Sequence, residues 1–451
     1  MQVDKRSLID LGILPDASGA WPLIGLLDHT HSRAGLDALK GQLANPLGDA
    51  TEIRRRQQLL RALPTALMHV QWTPLVALSR DVDAFLDSNY VVFPEARVDA
   101  ALFIVRHRDI VEYLEARLAT VSQLLEVCAS IRDRLRGLEG DAAFAEILTA
   151  LNDAVDQPLR GALRRAESSG ATRRLALCAL DREVRTDARD TLRHLLRMMH
   201  RLDAFASLAV AAARPGFTYP TVHAAQWSLL GVRHPLLERG VPNDVQVADA
   251  ERVMFLTGPN MAGKSTLLRA IGIIVHFAHI GLPVPAADAQ VPVVDRLISS
   301  LGIEDNIVRG ESLYLAEVRR VKHVVTHVLR GERVVALLDE VFRGTNAKDA
   351  GDATGLLVDG LACVPAGLFV VASHLVEVAE TRLGRPGIAW WCMQVGASVD
   401  GHAFTYGLAR GISNVRLGMA LLETEGVAGM LRELADTERP RAALVNHSRL
   451  S

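Results

Sequence analysis

The chain has 451 residues, of which 49% are hydrophobic and 23% charged, an ordinary globular composition that argues against a disordered protein. Its 50 basic and 52 acidic residues give a net charge of −2, so charge alone does not indicate a nucleic-acid-binding protein. The cysteines are far apart and form no C-x-x-C pair, which argues against a zinc site or a disulfide framework. The start lacks a signal-peptide pattern, and no uncharged apolar run approaches the roughly 18 residues of a membrane span. We therefore expect a soluble cytoplasmic protein without a membrane partner, with nucleoid association as an option.

The first half of the chain, from about Thr51 to Ala213, has the pattern of an all-helical region. Two long stretches, Glu95–Arg136 and Ala171–Ala213, contain no glycine or proline, and the second carries an apolar stripe at three- and four-residue spacing. A break with Pro158 and Gly161 lies between them. Continuous helices of this size would each reach roughly 60 Å. Two interpretations stay open: an ordinary helical bundle, or an antiparallel pair of long helices that acts as a rigid arm.

After Pro220 the pattern changes to strands that alternate with helices. Short apolar runs predict buried strands at Arg252–Thr257, Arg333–Leu338 and Gly367–Ala372, and the first is followed by a glycine loop and a helix to Ile280. Ile388–Val395 and His402–Gly407 resemble an antiparallel pair. This alternation predicts an α/β domain with a mainly parallel sheet flanked by helices. We expect a helical domain at residues 1–220, a nucleotide-binding α/β domain at 221–437 and a polar tail at 438–451.

A phosphate-binding loop is the strongest motif in the chain. Gly258–Ser265 (GPNMAGKS) matches G-x-x-x-x-G-K-[ST] and lies between a predicted strand and a predicted helix, as this motif requires. Backbone N–H groups and the helix N-terminus would bind phosphates, Lys264 would reach the β- and γ-phosphates, and Ser265 would ligate Mg²⁺. The predicted nucleotide contacts are Gly258, Pro259, Asn260, Met261, Ala262, Gly263, Lys264, Ser265 and Thr266.

Two further segments supply candidate catalytic residues. The apolar run 334–338 ends in Asp339 and Glu340, where Asp339 would hold Mg²⁺ and Glu340 would orient and deprotonate the attacking water. This pattern alone is weak, but its order after a phosphate loop indicates an ATPase. His374 follows the next strand, where a neutral imidazole could donate a hydrogen bond to the γ-phosphate or the water. We predict Mg²⁺-dependent ATP hydrolysis with Lys264, Glu340 and His374 as catalytic residues.

The loop TGPNMAGKST resembles the TGPNMGGKST loop of the MutS DNA mismatch repair family, and the resemblance extends along most of the chain. Similar segments are Leu27–Gln57 in the first half, and Arg233-His-Pro235, Val241–Asp244, Gly281–Ala286, Arg309–Glu317, Leu337–Thr345, Ala372–His374 and Tyr406–Gly418 in the second. The resemblance implies a helical core and lever region followed by a transporter-like ATPase domain of the MutS type.

The chain also departs from the family pattern. Ala262 and Phe342 stand where the family motifs have glycine. From the early position of the core motif and the length of residues 57–233, we expect no mismatch-reading domain and no DNA clamp between the lever helices. A C-terminal nuclease-like domain is also not expected.

The resemblance implies a composite ATPase in which two copies form a homodimer through their ATPase domains. Ser312 would then act in trans on the γ-phosphate held by the partner, although Ser312 could equally be the N-cap of the following helix. The implied partner is double-stranded DNA that is mismatched, branched or otherwise distorted. The alternative is an ATPase dimer that acts as a mechanical switch on a protein partner or on branched recombination DNA. A transporter-type ATPase subunit is a weaker third option.

Overall fold

A computed structural model describes residues 1–88, 93–94, 97–222, 226–302, 313–398, 401–413, 422–423 and 425–434, so the predicted tail at 438–451 lies outside it. The helices are α1 (Lys5–Asp10), α2 (Ile24–Leu27), α3 (Arg33–Ala44), α4 (Ala50–Leu67), α5 (Trp72–Leu86), α6 (Arg97–Arg106), α7 (Arg108–Arg134), α8 (Ala142–Val155), α9 (Pro158–Glu167), α10 (Arg173–Cys178), α11 (Asp181–Arg185), α12 (Arg189–Ala212), α13 (Lys264–His279), α14 (Leu313–Leu329), α15 (Ala347–Ala362) and α16 (Val376–Glu380), with a 3₁₀ turn at Gly170–Thr172. The strands are β1 (Gln2–Val3), β2 (Trp227–Val232), β3 (Asn243–Val247), β4 (Val253–Thr257), β5 (Asp288–Gln290), β6 (Arg296–Ser300), β7 (Val334–Asp339), β8 (Leu368–Ala372), β9 (Ile388–Ser398) and β10 (Gly401–Arg410). Among the helices of the described ranges, none is both long and apolar enough to cross a membrane.

The chain divides into two compact units. A helical unit contains residues 1–3, 12–222 and 276–284, and an α/β unit contains residues 4–11, 223–275 and 285–451. In the helical unit, α12 packs against α3, α4 and α8, while α7 packs against α5 and α8. The apolar stripe predicted on α12 is buried, so amphipathic helices form this core as the sequence pattern indicated.

Neither of the two long stretches is one continuous helix. The first divides at His107 between α6 and α7, and the second contains α10, α11 and α12. At about 1.5 Å per residue, α7 with 27 residues and α12 with 24 residues are roughly 40 and 36 Å long. The two stretches therefore contain no helix of roughly 60 Å, and packing within sets of shorter helices favours the bundle interpretation.

Tertiary contacts explain one of these helix breaks, which the sequence did not predict. Asp181, at the start of α11, is fully buried, and its carboxylate accepts a hydrogen bond from the Phe93 N–H (3.1 Å) and pairs with Arg185. A buried carboxylate requires such partners, so they override the local preference for an uninterrupted helix. Conversely, Pro158 is the first residue of α9, a position at which proline is tolerated. Gly161 lies inside the same helix.

The α/β unit contains the predicted mainly parallel sheet. Six of its strands lie in the order β6-β7-β8-β4-β9-β10, where β10 is antiparallel to β9 and the other neighbours are parallel. Every residue of β4 and β8 is buried, as expected for strands covered on both faces. A second, antiparallel sheet in the order β3-β2-β5 was not predicted, and neither was β6.

The strand register brings three chain segments to one edge of the large sheet. On β8, Ala372 lies opposite both Asp339 of β7 and Leu256 of β4. The three parallel strands therefore end side by side. The phosphate loop after β4, the acidic pair at the end of β7 and His374 after β8 consequently meet at their carboxyl ends.

The N-terminal motif has a packing role in the helical unit. Asp203 of α12 is buried, and its carboxylate accepts hydrogen bonds from the His31 N–H (2.9 Å) and from the N–H and hydroxyl of Ser32 (3.0 and 2.9 Å). The Ser32 hydroxyl in turn accepts from the Gly35 N–H and caps α3. This part of the motif therefore joins the start of α3 to α12.

A buried ion pair joins α4 to the start of α8. The Arg56 guanidinium pairs with Asp141, with 3.2 Å between Arg56 Nη2 and Asp141 Oδ1, and the two side chains are only 8% and 3% exposed. Asp141 also accepts from the Phe144 N–H (2.9 Å) and so caps α8. Removal of the arginine would leave a buried charge without its partner.

We expect Arg56→Leu to lower the free energy of unfolding of the helical unit by about 3–5 kcal/mol, the usual cost of breaking one side of a buried pair. Urea denaturation followed by far-ultraviolet circular dichroism measures this change. The matched control is Arg136→Leu, which breaks the exposed pair of Arg136 with Asp133 (3.0 Å) and should cost less than about 1 kcal/mol. Equal losses in the two variants would contradict the prediction.

Candidate nucleotide-binding site

The phosphate loop connects β4 to α13 through a backbone that includes left-handed residues. Gly258 and Gly263 have φ values of 144° and 99°, and a Cβ atom there would lie 3.1 Å from Met393 Cβ and 3.3 Å from Tyr406 Cδ1, respectively. Glycine is therefore required for both the backbone and the close approach of β9 and β10. Ala262 is buried and is not among the residues with positive φ, so this departure from the family pattern adds no such strain.

Lys264 begins α13 and lies almost completely buried beneath the loop. Its ammonium group donates to the carbonyl oxygens of Gly258 (2.8 Å) and Pro259 (3.2 Å), and lies 4.0 Å from Glu340 Oε1. Burial lowers the pKa of Lys264, while the negative charge of Glu340 opposes that shift. For a cation held by neutral carbonyls, a phosphate would be a stronger hydrogen-bonding partner.

Asp339 and Ser265 fit the requirements of a magnesium site. Asp339 Oδ2 accepts a hydrogen bond from the Ser265 hydroxyl, whereas its buried Oδ1 has no hydrogen-bond partner within the described part of the chain. Burial raises the pKa of Asp339. A buried carboxylate oxygen without a partner, next to a hydroxyl, is the kind of oxygen donor set that Mg²⁺ prefers.

Glu340 lies between Lys264 and His374. Its backbone is left-handed (φ 49°) and its N–H donates to Ala372 O (2.9 Å), which fixes the turn after β7. Its carboxylate Oε1 is 3.7 Å from His374 Nδ1. The contact with His374 and, more weakly, the charge of Lys264 lower the pKa of Glu340 against the effect of burial. Glu340 is therefore ionised at neutral pH, the state that a general base requires.

The same contact raises the pKa of His374, so the charged His374–Glu340 pair exists below that pKa and is lost as the pH rises through it. A histidine-selective NMR titration of the full chain should place the His374 pKa above 6.5, and Glu340→Gln should lower it. The matched control Asp352→Asn, in α15, should leave it unchanged. An unaltered His374 titration in Glu340→Gln would show that the carboxylate does not hold the imidazole in its charged form.

A cavity of about 410 Å³ beside the loop was not predicted from the sequence. Met261 lines it from the loop and Thr266 from α13, Val241 lines it from the segment before β3, and Asn243 and Tyr406 line it from the start of β3 and from β10. Tyr406 lies in a β-bulge with φ 55° and is 46% exposed. The side chain of Asn243 fixes this bulge: its amide donates to Tyr406 O (3.0 Å) and its oxygen accepts from the Leu408 N–H (2.7 Å). These residues belong to the segments that resemble the family motifs. That resemblance was the signal in the sequence from which the cavity lining could have been predicted.

The remaining predicted contacts have the following positions. Pro259 and Asn260 lie in the loop, where Asn260 is exposed, and Thr266 faces the cavity from the first turn of α13. Ser312 lies outside the described residues, so its role in trans stays a prediction. The structure thus brings together Lys264, Ser265, Asp339, Glu340 and His374, while their chemical roles remain predictions.

Comparisons with known proteins agree with this arrangement. A family model described as MutS domain V matches residues 254–438. A DNA mismatch repair protein MutS of Sorangium cellulosum is 32% identical over 348 residues, which cover 74% of this chain and 36% of that protein. The chain belongs to the MutS family.

Two other relatives show a comparable identity over a smaller part of this chain. A DNA mismatch repair protein MutS of Fervidobacterium nodosum is 32% identical over 247 residues, 53% of this chain and 29% of that protein. A DNA mismatch repair protein MutS 2 of Halobacterium salinarum is 31% identical over 263 residues, 56% of this chain and 30% of that protein. The chain therefore spans about a third of the length of these MutS relatives.

Proposed function

We propose that this MutS-family chain is a Mg²⁺-dependent ATPase that couples ATP binding and hydrolysis to the binding of distorted double-stranded DNA. The observation that carries the ATPase proposal is the convergence of three features at one sheet edge. These are Lys264, the Asp339 oxygen that lacks a hydrogen-bond partner among the described residues, and the Glu340–His374 pair. The relatives whose names include DNA mismatch repair support the DNA part of the proposal.

The loop would bind the phosphates of the nucleotide, and the adjoining cavity would bind its nucleoside. The N–H groups of residues 258–265 and the start of α13 would hold the phosphates, and Lys264 would exchange its loop carbonyl partners for the β- and γ-phosphates. The cavity lined by Tyr406 and Val241 would take the nucleoside, because an aromatic ring and an apolar side chain suit a planar base.

Hydrolysis would depend on the residues at the ends of β7 and β8. Ser265 and Asp339 would hold Mg²⁺, which, when bound, neutralises charge on the β- and γ-phosphate oxygens. The Glu340 carboxylate would orient the attacking water and accept its proton, while His374 would hold Glu340 in place and donate a hydrogen bond toward the γ-phosphate.

We expect Glu340→Gln to retain ATP binding and to slow hydrolysis roughly 10²–10⁴-fold, because the amide keeps the shape of the carboxylate but cannot accept the proton. ATP affinity by calorimetry and phosphate release by a coupled assay measure the two effects. Glu380→Gln, an exposed change in α16, is the matched control and should hydrolyse at the wild-type rate. Hydrolysis by Glu340→Gln at the wild-type rate would mean that the base is another residue.

We further propose that the active form is a homodimer in which Ser312 completes the partner's site. Lys264→Ala should abolish tight ATP binding, and Ser312→Arg should block the approach of the next helix N-terminus to the γ-phosphate. Each variant alone should be inactive. When the two are mixed and allowed to exchange subunits, one intact composite site can form, so ATPase activity should partly return.

The outcome of mixing separates this proposal from a monomeric enzyme. Native mass spectrometry of isotopically labelled chains shows whether the two variants have exchanged. Folded variants that exchange subunits and remain inactive together would show that Ser312 does not act in trans.

The DNA part of the proposal makes a salt-dependent prediction. With ATP or a slowly hydrolysed analogue, the chain should bind mismatched or branched duplexes more tightly than plain duplex, as measured by filter binding. The logarithm of affinity should fall linearly with the logarithm of salt concentration, with a slope of about −0.9 for each phosphate contact. An absence of DNA binding at low salt would favour the alternative below.

One observation favours the alternative of a switch that acts on a protein partner. Arginines of α9 and α10 pair with acidic residues of α7: Arg160 with Glu126 (2.9 Å), and Arg173 and Arg174 with Glu115 (2.8 and 3.0 Å). These charges are neutralised within the helical unit, which reduces the attraction that they offer to DNA phosphates.

A further inference from the structure

The segment that follows Glu340 packs against the start of α14. The Phe342 side chain is buried in the same apolar cluster that Tyr314 packs against, and the two ring centroids are 6.2 Å apart with an interplanar angle of 57°. Tyr314 is the second residue of α14. An aromatic contact therefore joins the loop after Glu340 to the first turn of this helix.

Hydrogen bonding strengthens this connection. Glu317, which is buried one turn further along α14, accepts a hydrogen bond from the Gly344 N–H (3.2 Å), and its Oε1 lies 3.7 Å from Arg343 Nε. A Cβ atom at Gly344 would lie 2.6 Å from Tyr314 N, so the loop backbone is in direct contact with the backbone of α14. The loop and the start of the helix form one packed assembly.

The backbone at Phe342 shows that packing maintains this conformation. Phe342 has φ 67°, in the left-handed region that bulky side chains rarely adopt, and Glu340 two residues earlier has φ 49°. The family motif has glycine at this position, and glycine adopts such φ values without a steric penalty. Phenylalanine holds this backbone because its ring is fixed in the cluster beside Tyr314.

We propose that Phe342 is a positioning residue that couples the Glu340 loop to the first turn of α14 through its contact with Tyr314. A displacement of the start of α14, which directly follows Ser312, would then move the Glu340 carboxylate relative to Lys264 and His374. The inference rests on the ATPase activity proposed above. The Phe342 ring links the two segments by a contact that glycine, which has no Cβ atom, cannot make.

The test compares Phe342→Gly, Tyr314→Leu and the double variant in the full chain. Because the phosphate loop is unchanged, ATP affinity should stay within about twofold, while kcat should fall about tenfold or more in each single variant, since misplaced catalytic groups react slowly. The double variant should be no slower than the slower single variant, because both substitutions remove the same contact. Amide hydrogen exchange should accelerate in residues 313–317 of Phe342→Gly.

A matched control separates positioning from a general loss of core packing. Leu361→Ala removes a buried side chain from the same cluster near the end of α15, so it should lower the melting temperature but leave kcat per folded molecule and exchange at residues 313–317 unchanged. Phe342→Leu, which retains apolar bulk, should recover part of the lost kcat.

Several results would overturn the inference: an unchanged kcat in folded Phe342→Gly, multiplicative losses in the double variant, or faster exchange confined to the Glu340 loop. If the wild-type chain hydrolyses no ATP, the proposed function fails, and the exchange at residues 313–317 alone decides whether Phe342 couples the two segments.

Discussion

The register of three parallel strands is the constraint on which the candidate site depends. Ala372 of β8 lies opposite both Asp339 and Leu256, so the ends of β7, β8 and β4 coincide. Since side chains alternate between the two faces of a sheet, a slip of one residue would turn Asp339 away from Ser265. The complete burial of β4 and β8 holds this register, and core packing therefore determines which side chains meet at the sheet edge.

Several residues in the family-like motifs have structural roles. Asp203 joins His31 and Ser32 of the N-terminal motif to α12, and Arg56 pairs with Asp141 in the interior of the helical unit. In the α/β unit, the Asn243 amide fixes the bulge that carries Tyr406. Buried polar groups require partners of fixed geometry, so such residues are recognisable in a motif even when they take no part in catalysis.

The two departures from glycine have different physical consequences. Ala262 lies in a backbone conformation open to any residue, and its methyl group is buried within the loop. Phe342 lies in the left-handed region, where its backbone is held by a ring that packs in the core beside Tyr314. The same kind of substitution thus adds no left-handed backbone strain in one motif and creates a new contact in the other.

The sequence by itself determined the phosphate loop, the acidic pair and the buried strands β4, β7 and β8, because each is a continuous local pattern of residues. It did not determine where the helices end. A stretch without glycine and proline can still be interrupted by a buried carboxylate such as Asp181, which needs distant hydrogen-bond partners. Only the tertiary structure brought together Asn243, Met261 and Tyr406 around one cavity. These residues are far apart in the chain, and they meet because strand register and a β-bulge, which no local pattern encodes, place them side by side.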